Sequence, residues 1–416
     1  MNRHRFPWRE LIAVAALVAL LPTVAPAQTA ETKAETIRPE VATPLVAAEE
    51  LIKAKKFPEA LAKVREADAV PDRTPFENYV IDRTRSVAAA GAGDMPTTVK
   101  ALEAVVASGR APPADQLRAA QALALTYFRM ADYPKAATWA ARYAKDGGTD
   151  PQMPLLRAKS LYLANDFAAA ATELRAMVDA DEKAAPPPTL EKLQLLASSY
   201  IKQNDNAGYV QVLDKLLAYY PKKEYWADAI GRVESRPGFP EYLLLDALRL
   251  REATGNLTSA AQYTAMAQLA LKAGFPAEAK RVVEQGFASG LLGTGADAEL
   301  QRKLRDTAAK QVVEDDRMLA QNARDAGAAK DGGALLSVGY AMVTAGQFDK
   351  GVALMEQGIQ KGGINRPDEA QLHLAIAYLA AGQKAKAVAA FRTVQGSDGT
   401  ADLARLWLIH AQRSSS

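Results

Sequence analysis

Beyond residue 43 the apolar residues recur at a spacing of about 3.6, and alternating β-branched runs are missing. The pattern predicts helix throughout. The helices come in pairs joined by short turns that look alike: Ala54-Lys55-Lys56-Phe57, Met130-Ala131-Asp132-Tyr133, Leu163-Ala164-Asn165-Asp166-Phe167, Ala345-Gly346-Gln347-Phe348 and Ala381-Gly382-Gln383-Lys384. Each precedes a new amphipathic helix. Tyr133 and Phe167 lie 34 residues apart and Gly346 and Gly382 lie 36 apart, a period that implies stacked similar units.

Two helices that cross closely need a small residue on each and a large apolar side chain to fill the groove beside them. Aligned on the turns, the first small position holds Ala48, Ser86, Ala124, Ala158, Ala197, Ala267, Gly339 and Ala375. The second holds Ala60, Thr98, Ala136, Ala170, Tyr209, Ala279, Gly351 and Ala387, and the filler is Val64, Leu102, Ala140, Leu174, Leu213, Val283, Met355 and Phe391. Tyr209 and Ala140 break the rule. A large apolar residue three after the first small one (Leu51, Tyr127, Leu161, Tyr200, Met342, Tyr378) marks six firm units, while Ala89 and Ala270 mark degenerate ones around Ser86 and Ala267. Glu284-Gln285-Gly286 recurs as Glu356-Gln357-Gly358, two 36-residue steps on, which points to internal duplication.

By these residues, from Pro44 to Gln395, the chain resembles the tetratricopeptide repeat family of the exported, periplasmic proteobacterial kind. The resemblance implies an all-α helix-turn-helix solenoid wound as a right-handed superhelix. Three departures from the family pattern predict changes of pitch: Pro186-Pro187-Pro188, which cannot continue a helix; a short element Tyr225 to Ser235 between Pro221 and Pro240; and one long polar helix or a pair over Glu299 to Asp325. The expected organisation is a flexible leader over 28–43, an N-terminal array over 44–240, an irregular region with one degenerate repeat over 241–330, and a C-terminal repeat pair with a capping helix over 331–412. The cap, Ala401 to Gln412, carries Leu403, Leu406, Trp407 and Ile409 to cover the last apolar face.

The first 27 residues alter the setting of all this. Arg3, Arg5 and Arg9 precede an apolar run from Leu11 to Leu21, and Ala25-Pro26-Ala27 offers a small-x-small cleavage site, so residues 1–27 are predicted to be a signal peptide cut after Ala27. An uncleaved anchor is the alternative, disfavoured because eleven apolar residues are too short to cross a bilayer core of about 30 Å. The address that follows is the periplasm, with no stable membrane insertion after cleavage. There is no cysteine, hence no lipid acceptor, disulfide or thiolate metal site. Without the leader's three Arg and one Glu, 48 basic residues face 47 acidic ones, a balance of +1 that lacks the basic footprint nucleic acid requires.

Candidate chemistry is sparse. His373 and His410 are the histidines of the mature chain, on different predicted helices, and each is read as a surface or groove residue; no nucleophile elbow, phosphate loop or metal-spaced carboxylate cluster is recognised, so no enzyme activity, metal or cofactor is expected. Glu314-Asp315-Asp316 reads as a solvated helical face, because adjacent helical side chains splay by about 100°. Asn256-Leu257-Thr258 reads as a turn with an N-cap. The aromatic stretch from Tyr219 to Trp226 is either a partner-docking knob or a plug sealing an interrupted core, the plug being preferred because Tyr219 and Tyr220 end a regular helix.

The family resemblance further implies a partner-binding concave groove lined by the first helix of each pair. Matching positions gives Arg118, Gln121, Leu125, Phe128 and Arg129, then Lys159 and Tyr162, then Glu191, Gln194, Ser198 and Lys202. Such a set suits another protein's extended segment or acidic helix. The expected function is a non-enzymatic scaffold or adaptor in a cell-envelope assembly, of which a TonB-type system is one example. The rivals are a cell-wall enzyme like the superhelical lytic transglycosylases, against which Glu234-Ser235 stands in an unfavourable context before Arg236-Pro237-Gly238, and an architectural homo-oligomer.

Overall fold

A computed structural model describes residues 35–184 and 186–413. The predicted signal peptide and Ser414 to Ser416 lie outside the described residues. Among those described there are α-helices, one 3-10 turn and no strand. The described residues fall into two compact units, one ending at Ala176 and the other beginning at Met177.

The first unit contains α1 (Pro39–Lys53), α2 (Phe57–Asp68), α3 (Pro75–Ala92), α4 (Met95–Ala107), α5 (Pro113–Arg129), α6 (Tyr133–Lys145), α7 (Met153–Leu163) and the start of α8 (Phe167–Ala184). From α1 to α7 each helix packs on the next, and α1 also packs on α3 and α5 on α7. The leader ends earlier than expected. Helix α1 starts at Pro39, not after residue 43, because proline suits the first helical position and Val41, Leu45 and Ala48 bury one stripe. Arg38 anchors that start: its Nε and Nη2 each donate to the Glu77 carboxylate at 2.9 Å, and its backbone N–H adds a third bond at 3.0 Å. Glu77 also closes a capping box with Thr74 at the head of α3.

The second unit holds the rest of α8, then α9 (Leu190–Lys202), α10 (Asn206–Tyr219), α11 (Lys223–Glu234), α12 (Leu244–Ala253), α13 (Ala260–Lys272), α14 (Pro276–Ala288), α15 (Ala298–Ala328), α16 (Gly333–Thr344), α17 (Phe348–Lys361), α18 (Pro367–Ala380), α19 (Lys384–Phe391) and α20 (Thr400–Arg413). The polar segment is a single 31-residue helix, α15. One apolar core runs from Leu213 to Ala411. The divisions expected near 240 and 330 fall inside that core, because α20 packs not only on α18 and α19 but back onto α10, α11 and α12. Arg405 pairs with Asp214, Arg413 donates to the Leu217 carbonyl at 3.3 Å, and Arg236 pairs with Asp402 at 2.9 Å. The cap therefore closes the unit on itself.

The repeat rule is visible in the turns. In all eight units the second residue of the turn has φ between 57° and 82°: Lys55, Gly93, Ala131, Asn165, Asn204, Gly274, Gly346 and Gly382. Two residues of that set carry a side chain with no special fitness for this backbone, Lys55 and Ala131, and the turn imposes it on them. In each unit the next N–H returns to the carbonyl five residues back, as from Lys56 to Leu51, Asp94 to Ala89, Phe275 to Ala270 and Gln383 to Tyr378. This is the Schellman closure of a helix end. The units around Ser86 and Ala267, degenerate by their side chains, have the same turn, and both small residues are buried.

Ala48, Ala124, Ala158 and Ala375 are fully buried. At the two breaks the fold compensates locally. Beside Ala140, Tyr143 enters the same small core and supplies the missing bulk. Beside Tyr209 the close approach is made by Gly208, where a Cβ would stand 2.7 Å from the Tyr200 ring. Tyr209 itself turns away to bond Asp228 at 2.5 Å under the Arg232 guanidinium.

Candidate functional site

Within the first unit, the residues expected to bind a partner lie mainly along one stripe of α5. Arg118, Leu125 and Arg129 are exposed, Leu125 at 36 %. Gln121 donates to Asp150 at 2.6 Å and Arg118 pairs with Asp115 at 3.0 Å, so both are held in defined positions. Phe128 is half-buried, its ring edge-to-face with Tyr133 at 5.6 Å. On α7, Tyr162 packs in the same way on Phe167 at 5.3 Å. Lys159 departs from expectation: it is only 8 % exposed, whereas Leu125 at the matching position of α5 stands in solvent.

In the second unit, Glu191 and Lys202 are exposed at opposite ends of α9, Ser198 is half-buried, and Gln194 donates to the Tyr225 hydroxyl at 2.9 Å. Of the aromatic stretch Trp226 alone plugs the core, while Tyr219 is exposed and Tyr220 and Tyr225 are half-buried. Trp226 is buried, edge-to-face with His410 at 6.1 Å, and Tyr220 donates to the Pro188 carbonyl at 2.9 Å. His410 lies between Trp226 and Trp407, and burial followed by the nearby Arg413 charge lowers its pKa. Glu314 and Asp316 are exposed on α15, as a solvated face requires, while Asp315 between them is half-buried and burial, with the neighbouring Asp316 charge, raises its carboxyl. Glu234 has both carboxylate oxygens on Arg251, at 2.5 and 2.9 Å, an arrangement that fixes a structural carboxylate and suits a general acid poorly.

Sequence reasoning missed the most concentrated polar group. Arg249 on α12 is buried and forks onto Glu278 of α14, with Nε at 2.8 Å and Nη2 at 2.6 Å, while its Nη1 reaches Asp246 at 2.8 Å. The guanidinium lies over the Phe275 and Tyr340 rings, 5.2 and 4.7 Å from their centroids. A His373 ring nitrogen stands 2.9 Å from the same Asp246 oxygen, and the imidazole leans on Tyr340 at 5.0 Å. Glu369, one turn before His373 on α18, pairs with Arg366. Burial raises the Asp246 carboxyl, but His373 and Arg249 outweigh it and the net shift is downward; burial raises Glu369, against His373 and Arg366. His373 is thus no loose groove residue. The four-residue spacing of Glu369 and His373 was the one signal in the sequence; Asp246, 127 residues away, gave none.

No family model matches the chain, and no curated protein does. Among solved structures it is similar to the Naa15/Naa10 assembly bound to HypK-THB, at 14 % identity over 85 % of this chain and 58 % of that one, with a TM-score of 0.32. It is also similar to yeast Tom70, at 12 % identity over 90 % of this chain and 96 % of the other, TM-score 0.25. The TPR2AB domain of yeast Sti1, solved as a complex with pHSP90, gives 11 % identity over 72 % of this chain and all of that one, TM-score 0.24. The chain spans 58 % of the first of these. The all-α fold is of the tetratricopeptide-like kind in its own geometry: successive helix pairs with the same left-handed turn residue and small residues buried where the paired helices cross. Among the described residues no helix is long and apolar enough to cross a membrane.

Proposed function

We propose that this tetratricopeptide-type chain is an exported, non-enzymatic scaffold that docks another protein on the outward faces of its first helices. The observation that carries the reading is the α5 stripe, where Arg118, Leu125 and Arg129 stand in solvent while Ala120 and Ala124 on the opposite face are sealed. A surface of cations around an apolar centre, on a helix held rigid from behind, fits an acidic helix or extended peptide. The signal-like N-terminus supports a periplasmic setting for the scaffold, and a cell-envelope assembly, TonB-type systems among them, agrees with export and the near-neutral balance of charge.

The test is a pull-down with the mature chain against the same chain carrying Arg118→Glu, Arg129→Glu and Lys202→Glu. Loss of a specific partner on charge reversal supports the reading. Unchanged recovery removes these faces from the account. Release of muropeptides from purified sacculi by the wild-type chain would overturn the non-enzymatic assignment.

A further inference from the structure

We propose that Asp246, Glu369 and His373 form a binding site for one divalent transition-metal ion of the zinc kind, which ties α18 to α12. One ligand atom from each of the three residues lies within 4.8 Å of the other two. The His373 ring nitrogen and the Asp246 oxygen are already 2.9 Å apart. A tetrahedral ion with bonds of about 2.0–2.2 Å sets its ligand atoms about 3.4 Å apart, so the triangle contracts by up to about 1.4 Å on its longer sides and opens by about 0.5 Å between His373 and Asp246. Glu369 can make that movement. Its side chain sits one helical turn from His373 on the same face, near the protein surface, and its present partner Arg366 is exposed and can swing aside.

The charges leave room for a cation. Asp246, Glu278 and Glu369 bring three carboxylates, while Arg249 and Arg366 bring two guanidiniums, so the group carries a net charge of −1 when His373 is neutral. Arg249 is the obstacle, since it donates to the Asp246 oxygen that faces His373. Its charge, however, is matched through two bonds by Glu278, and its position is fixed by two aromatic rings. It therefore acts on the site as an outer hydrogen-bond donor that orients Asp246, a role such partners fill around metal-binding carboxylates. One imidazole and two carboxylates from the protein, with a fourth position left to water, suit zinc, cobalt or manganese better than calcium or magnesium.

The chain's chemistry makes the test clean, for it has three histidines and no cysteine. Untagged protein is freed of metal with a chelator and titrated with Zn²⁺ by calorimetry, and with Co²⁺ by visible absorption. The expected result is one Zn²⁺ per chain with a dissociation constant of about 1 µM or tighter, and a cobalt absorption band that reports nitrogen and oxygen ligands. Glu369→Gln and His373→Gln keep the side-chain volume nearly unchanged and should each weaken binding by at least about tenfold, with circular dichroism confirming that both remain folded. Failure to bind Zn²⁺ at millimolar concentration overturns the proposal. So does equal binding by the two folded variants, which would send the ion to His4, His410 or scattered carboxylates.

Discussion

The crossing of α16 and α17 offers the sharpest perturbation of the packing rule. At Gly351 an added Cβ would stand 2.5 Å from the Gly339 carbonyl oxygen and 2.9 Å from the Val343 backbone nitrogen. At Gly339 it would meet the Gly351 carbonyl at 2.7 Å. These neighbours are backbone, so no rotamer change relieves them and the two helices must move apart, loosening Met355 and Leu336 on either side. Overpacking of this kind costs about 1–3 kcal/mol, here toward the upper end, while replacing a helical glycine with alanine returns about 1 kcal/mol. Gly351→Ala should therefore lose about 2 kcal/mol net. Gly231→Ala supplies the control: it is also within a helix of the second unit, but the nearest atom to its new Cβ is an Arg251 nitrogen at 3.9 Å, so it should gain about 0.5–1 kcal/mol. Thermal unfolding reads both, at about 2–4 °C per kcal/mol for a unit of this size. If Gly351→Ala raises the melting temperature as Gly231→Ala does, the helices do not cross this closely and the reasoning fails.

Three further outcomes follow from the same geometry. Arg249→Met should cost about 3–5 kcal/mol, because it strands Asp246 and Glu278 without their buried counter-charge, and Arg249→Met with Glu278→Met should recover much of that loss in urea titrations. Trp407 is buried with its indole N–H unpartnered, so Trp407→Phe should cost no more than about 1.5 kcal/mol whereas Trp407→Ala should cost about 3–5 kcal/mol; equal losses would mean that α20 does not seal the second unit. Glu77 has its pKa lowered to about 2 by its bonds to Arg38, with the Thr74 and Arg38 backbone N–H groups adding to the effect. A carboxyl lower in the folded than in the unfolded chain stabilises fully above its unfolded pKa, and that contribution drains away as pH falls from about 4.5 toward about 2. Acid titration of the first unit should show a shallower loss for Glu77→Gln than for wild type across that window.

Much of the fold could be read from the chain because its information is local. Turns such as Ala131-Asp132 and Gly346-Gln347 repeat at a fixed spacing, and the small residues they align are buried where two helices touch. The units around Ser86 and Ala267 looked weak because side chains were the only guide, whereas the backbone closure that unites them with the rest leaves no demand on residue identity except tolerance of a left-handed φ. Tyr209 looked like a failure of the rule for a related reason: Gly208 moves the close contact by one residue, which a fixed register cannot register.

What stayed hidden is long-range. The return of α20 to α10 depends on Arg405 meeting Asp214 and Arg413 meeting Leu217, pairs almost 200 residues apart in a chain with many surface charges. Asp246 is likewise an ordinary helical acid until α18 brings His373 beside it. Lys159 shows the limit of transferring positions from one repeat to the next: it is buried although Leu125, at the matching position of α5, is exposed, and Ala124 and Ala158 beside them are buried alike.

The central claim is that each first helix hides its small residues at a crossing and turns the next residues toward a partner, and thiol labelling tests it most directly because the chain has no cysteine of its own. Ala124→Cys, Ala158→Cys and Ala375→Cys should resist a maleimide in the folded chain and react only on unfolding, while Leu125→Cys, one residue along the same helix as Ala124, should react at once. Comparable labelling of Ala124→Cys and Leu125→Cys in a folded protein would contradict the account.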